Sequence, residues 1–189
     1  GKSITASNAE QALTSAIVYV LNGDQVKAIM ITGYGEQDSS NFENLLKKNN
    51  YDVESVSILT GEIPESASLA VLYAPERDID QSGINKIEAF LSKGNKNLMY
   101  VANPALGERT NLNKVLEKWG VQLEDGVVYE TSQDKLLLSN NLFYHIADYV
   151  DETYTEGLKN TSIPVSIPFS KAIKVTDAAK AKTLLECSK

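Results

Sequence analysis

The chain has 189 residues, with 18 Lys+Arg against 25 Asp+Glu and a formal net charge of −7 with its single His neutral. That length suits one domain with an elaboration, and 42% hydrophobic residues suffice for a core. The acidic balance and the lack of a Lys/Arg cluster argue against a nucleic-acid partner and against adsorption to an anionic leaflet. A single Cys excludes an internal disulfide framework and a Cys-built zinc site. No run approaches the roughly 18 apolar residues that span a bilayer. The apolar stretch at residues 16–21 lacks the basic flank and cleavage site of a signal peptide.

Ser7 and Glu10 read as a capping box ahead of a helix in which Ala12, Leu13, Ala16, Ile17, Val20 and Leu21 recur at helical spacing. Residues 26–31 (VKAIMI), stopping at Gly33, predict a strand buried on both faces. Ser39 and Ser40 open a second helix with Phe42, Leu45 and Leu46. Residues 51–59 read as the next strand, punctuated by Gly61 and Pro64. Residues 69–73 (LAVLY) form a third apolar strand ended by Ala74-Pro75. A helix over 80–93 follows, with Ile84, Ile87, Phe90 and Leu91 as its stripe and Gly94 as its stop. Residues 97–101 make a fourth strand ended by Asn103-Pro104. The next helix carries Leu112, Val115, Leu116 and Trp119 inward.

This alternation predicts an α/β fold, a doubly wound and mostly parallel sheet over residues 1–121. Beyond it the rhythm changes to short strands at 127–130, 135–138, 143–150, 163–167 and 172–175, with a helical turn at 155–160. Residues 122–189 therefore read as a β-rich extension of the same domain, continuing the same sheet.

Four constellations bear on chemistry. Gly33-Tyr34-Gly35-Glu36 follows a buried strand, where dinucleotide folds cradle a pyrophosphate. The third glycine of that fingerprint is missing, however, and Glu36 and Asp38 oppose an anion; a tight turn with acids capping the next helix is the stronger reading. Nucleophilic catalysis lacks material: there is no nucleophile elbow, Cys187 follows a Lys-Thr-Leu-Leu run, and the lone His145 lies in an alternating strand. No zinc pattern or calcium loop occurs, and the acidic groups Asp148/Asp151/Glu152 and Glu76/Asp78/Asp80 read as solvated turns, so neither metal nor cofactor is expected. Asn160-Thr161-Ser162 is a formal glycosylation sequon. Tyr129, Phe143, Tyr144, Tyr149 and Tyr154 form an aromatic group that favours sheet packing, although an interface would use the same residues.

In order, these landmarks resemble a known family. They are Thr32-Gly33-Tyr34-Gly35-Glu36, Asn44-Leu45-Leu46 with Tyr51-Asp52-Val53, Ile63-Pro64, Ala74-Pro75, Phe90-Leu91-Ser92-Lys93-Gly94, Asn103-Pro104, the W-G-V-x-L run from Trp119 to Leu123, and Gly126-Val127-Val128. Across residues 5–176 the series is similar to the auxiliary extracytoplasmic domain of ABC-type transport systems, the GldG-type gliding-motility group. The resemblance implies a fold like the class I glutamine amidotransferases and flavodoxins without their catalytic residues. It also implies a place outside the cytoplasmic membrane beside an ABC permease and ATPase, and an ectodomain belonging to a longer, membrane-anchored protein. Two features depart from the family pattern. Tyr34 stands where the turn often has His, and the H-P-I-T-x-G-L segment is replaced by Glu152-Thr153-Tyr154-Thr155-Glu156-Gly157-Leu158.

The expected function is a non-catalytic module that captures a solute or touches an extracellular protein. Open α/β sheets bind ligands beyond the strand carboxyl ends at the switch in strand order. Gly33, Tyr34, Gly35, Glu36, Tyr73, Ala74, Pro75, Asn103 and Pro104 should lie there, with Glu36 favouring a cationic or hydroxylated group. For each of them turn geometry is the competing explanation. The rivals are a hydrolase or amidotransferase-like enzyme using Glu36 or His145, and a purely structural scaffold in a membrane complex.

Overall fold

A computed structural model of the chain describes residues 9–22, 25–105, 107, 109–151, 153 and 164–188. It divides into two compact units, Gly1–Val101 and Ala102–Lys189.

The first unit runs α1 (Ala9–Asn22), β1 (Val26–Thr32), α2 (Ser40–Lys48), β2 (Tyr51–Ser57), β3 (Leu69–Tyr73), α3 (Gln81–Leu91) and β4 (Asn97–Val101). The strands pair in parallel in the order β2-β1-β3-β4. Their alternate residues serve opposite faces. Ala28 and Met30 of β1 meet Leu46 of α2 and Val71 of β3, with Phe42, Tyr51, Val53, Leu69 and Tyr73 packed around them. Ile29, Ile31, Ala70 and Leu72 point the other way and are equally buried. α3, in the β3-to-β4 crossover, has Ile84, Ile87 and Phe90 buried. This is why VKAIMI and LAVLY read as continuous apolar runs rather than alternations.

The helix ends are set by side chains. Asp38 Oδ1 accepts from Ser40 N–H at 3.0 Å and caps α2, while the Ser39 hydroxyl donates to Glu43 at 2.7 Å. Asp80 is the N-cap of α3, its carboxylate accepting from Gly83 N–H at 2.8 Å. β2 and β3 are joined by a loop without a helix, which Lys86 of α3 clasps by donating to the Ile58 and Gly61 carbonyls at 2.7 and 2.8 Å. The proposed capping box at Ser7 lies outside the described residues. Leu13, Ile17 and Val20 of α1 are exposed.

The second unit contains α4 (Thr110–Lys118), β5 (Val121–Leu123), a 3-10 turn (Gln133–Lys135), β6 (Tyr144–Tyr149), β7 (Val165–Pro168), β8 (Ile173–Val175) and β9 (Leu185–Glu186). Its described strands form two antiparallel sheets, β5-β8 and β7-β6-β9, so the expected continuation of the parallel sheet is corrected. Residues 127–130 and 135–138 are not strands either. Glu130 Oε1 accepts from the Thr131 and Ser132 amides, both at 2.8 Å, which turns the backbone away from a ladder. Leu136 keeps a single bridge to His145. Leu112 and Val115 of α4 are buried as the stripe required, whereas Trp119, at the C-cap, is 54% exposed. Buried Arg109 ties the start of α4 to the chain after β5, donating to the Gly107 and Glu124 carbonyls, both at 2.6 Å, and to Asp125 at 3.1 Å. The expected turn at 155–160, Tyr154 and the sequon fall outside the described residues.

Candidate functional site

In the order β2-β1-β3-β4 the chain reverses direction across the sheet between β1 and β3, so the switch point lies beyond Thr32 and Tyr73. Two turns meet there. Gly33 and Gly35 have φ of 131° and 74°, and Ala74 takes the left-handed region at φ 45°. The backbones are stitched together: Tyr34 C=O accepts from Glu76 N–H and Arg77 N–H, both at 3.1 Å, and Ala74 C=O accepts from Gln37 N–H at 3.2 Å. Arg77 also donates from its guanidinium to Gly33 C=O at 3.0 Å.

The positive φ of Gly33 turns successive amides inward, making the kind of concavity that holds anions. Glu36 fills it. Its carboxylate accepts from Gly33 N–H at 3.0 Å and from Tyr34 N–H at 3.0 and 3.2 Å. The place where a doubly wound fold of this order offers amides to a phosphate is thus occupied by the chain's own acid.

Tyr34 is 4% exposed, and its hydroxyl lies against Gly83, where a Cβ would come within 2.3 Å of it. Burial, then the nearby Asp80 carboxylate, pushes its phenol up to about 12. The Tyr73 ring stacks on Phe42 with centroids 5.6 Å apart. Ala74 and Pro75 are buried. Within this unit the structure brings residues 33–36 and 73–75 together, and it directs most of their side chains into packing. The surface they leave is made by Glu36, with Glu76 and Arg77 exposed beside it. Sequence reading noted Glu76 only as a solvated acid and passed over Arg77; the available signal was their position directly after Ala74-Pro75. Asn103 and Pro104 belong to the second unit, where buried Asn103 accepts from Ala105 N–H at 2.9 Å in a side-chain turn.

The second unit holds a separate polar group. His145 on β6 is fully buried, with Nε2 3.2 Å from the Ser170 hydroxyl and no hydrogen-bond partner for Nδ1 among the described residues. Burial lowers its pKa, opposed by the charge of Glu130. Glu130 is held below the usual carboxylate range, first by the Ser188 hydroxyl and then by the backbone amides of Ser132 and Thr131. Burial, with Glu130 nearby, raises the Cys187 thiol. Among the described residues no three His, Cys, Asp or Glu side chains are placed to hold a metal ion.

A parallel sheet in this order, flanked by helices and followed by small antiparallel sheets, defines an α/β protein of the flavodoxin-like strand order. The solved structure named "mmIFT52 N-terminal domain" has the same fold, with a TM-score of 0.64, 14% identity, and coverage of 84% of this chain and 72% of that one. No curated protein sequence matches the chain. Residues 17–137 match the model of the family described as "ABC-type uncharacterized transport system", and the chain belongs to that family. No described helix is long and apolar enough to cross a membrane.

Proposed function

We propose that the chain is a non-catalytic extracytoplasmic module of an ABC-type transport system, of the GldG type, working beside the permease and ATPase subunits. Its role is to hold a protein partner or a solute at the carboxyl edge of the parallel sheet. Glu36 carries this reading. Its carboxylate satisfies the amides that would otherwise receive a phosphate, so the mouth meets its surroundings with fixed acid rather than with an anion site. Residues 33–37 and 73–77 include no Ser, Cys or His. Such a surface suits hydroxyl or cationic groups and the polar rim of a protein contact.

A photo-crosslinker at exposed Glu76 tests it in native membranes. Adducts with a permease or ATPase-associated subunit, or with an extracytoplasmic protein, are expected; an absence of adducts would overturn the reading. An impermeant amine-reactive label on intact cells should reach the chain, and exclusive labelling after lysis would place it on the wrong side.

The Ser170–His145 pair favours a second reading, a hydrolase. Against it, the imidazole is wholly buried and Glu130 spends its hydrogen bonds on Ser188 and two backbone amides instead of on Nδ1. An ester and amide substrate screen decides. Turnover abolished by both Ser170→Ala and His145→Gln would establish an enzyme.

A further inference from the structure

In the second unit one buried carboxylate holds both its own turn and a distant segment. Glu130, 4% exposed, accepts from the Thr131 and Ser132 amides through Oε1, both at 2.8 Å. Its Oε2 accepts from the hydroxyl of Ser188, 58 residues on, and so fastens the chain just after β9. β9 itself is a short hold. It pairs with β6 over two residues, Leu185 with Tyr149 and Glu186 with Asp148, and Val150 N–H donates to Leu184 C=O at 3.0 Å. The second of those pairs sets two acids opposite each other, which weakens a ladder, while Lys135 forms an ion pair with Asp148.

His145 stands next to this fastening. Its ring is fully buried, with Nε2 3.2 Å from the Ser170 hydroxyl and Nδ1 without a hydrogen-bond partner among the described residues. A neutral imidazole accommodates that, because the Ser170 hydroxyl gives or takes one bond at Nε2. A protonated one does not: both nitrogens then donate, and a buried cationic N–H without an acceptor is costly. The elements packed on His145 supply one acid. β7, residues 169–170 and the bridging Leu136 carry no charged side chain. Glu130 is the carboxylate whose charge acts on the ring. Asp134, Lys135, Asp148, Glu186 and Cys187, from the 3-10 turn, β6 and the β9 segment, interact with one another and with Glu130.

We propose that residues 184–188 are an acid-released strap. When His145 takes up a proton from solvent, the Oε2 arm of Glu130 turns from the Ser188 hydroxyl to the cationic Nδ1–H. Oε1 keeps its two amides, Ser188 loses its acceptor, and the strap lifts from β6. Burial holds the imidazole pKa down in the closed form, so closure is complete above the ordinary imidazole range and is lost as pH falls below it.

The chain's single thiol reports the strap directly, because half-buried Cys187 lies between Glu186 and Ser188. Its rate of reaction with dithiodipyridine is divided by that of a peptide of residues 183–189 at the same pH, which removes the thiol's own titration. Between pH 7.5 and pH 5.5, a window above the usual carboxylate range, the ratio should rise at least about tenfold, as expected on losing one hydrogen bond to a charged acceptor. Ser188→Ala should react at pH 7.5 about as the wild type does at pH 5.5, and His145→Gln should stay closed at both. Ser188 is exposed, so its variant keeps the test decisive should His145→Gln misfold. Emission from Trp119, in the same unit, should hold constant over the window, which separates release of the strap from unfolding. An unchanged wild-type ratio, a rise that survives in folded His145→Gln, or a Ser188→Ala variant as closed as the wild type at pH 7.5 overturns the proposal. So does a thiol that opens only together with a change in Trp119 emission.

Discussion

Glu36 does locally what a bound anion would do. By accepting from Gly33 and Tyr34 it satisfies two amides at a turn whose glycine φ leaves them no strand partner. Glu36→Ala should lower stability by about 1–3 kcal/mol, as expected on losing charge-assisted bonds. It should also let added sulfate raise the melting temperature of the variant more than that of the wild type; equal rises would mean the freed amides hold no anion. Gly83 is fixed by contact. A methyl there meets the Tyr34 hydroxyl at 2.3 Å and Ile79 at 2.7 Å, so Gly83→Ala should cost about 1–3 kcal/mol in urea unfolding. Tyr34→Phe should restore most of that loss in the double variant, and no recovery would locate the strain at Ile79. Little of this was legible beforehand. Gly33-Tyr34-Gly35-Glu36 announced a tight turn, and Glu36 closes it through amides within its own turn, but that Tyr34 points inward depends on Gly83 of α3.

At the scale of elements, apolar run length located the central strands β1 and β3, because a strand buried on both faces needs an unbroken apolar run, while the edge strands β2 and β4, only partly buried, were marked by the turn residues around them. The antiparallel strands of the second unit were less legible. A three-residue strand such as β5 carries too few positions for periodicity, and residues 127–130 look extended until Glu130 turns its own backbone. β6 also carries the pH sensitivity. His145 is held below its ordinary pKa, so the fold favours its neutral form, and stability is complete above about pH 6.5 and falls as pH drops through the folded value. Glu130, also lowered, loses its contribution in the same direction at lower pH. The urea midpoint of the second unit should therefore fall between pH 7 and pH 5. His145→Gln should flatten that fall; an unchanged slope would assign it to other groups.

At the scale of the molecule, net charge governs partners. With −7 spread over a chain without a basic cluster, fluorescence anisotropy should detect no binding to duplex DNA even at low salt. Saturable binding there would require a basic surface that neither unit displays among its described residues. Family membership through residues 17–137 spans the parallel sheet and the start of the second unit.

What the sequence by itself determined is the α/β class, the order of strands and helices over the first hundred residues, and the residue types present in the turns after β1 and β3. These follow from local rules, since burial on two faces, capping and chain reversal each leave their mark within a few residues. Only the tertiary structure decided that Tyr34 packs against Gly83, that the C-terminal strands form sheets of their own, and that Ser170 meets His145 while Phe169 meets Phe143. Each of those depends on contact between residues distant in the chain, and the energy of such a contact is set by geometry that no single segment contains.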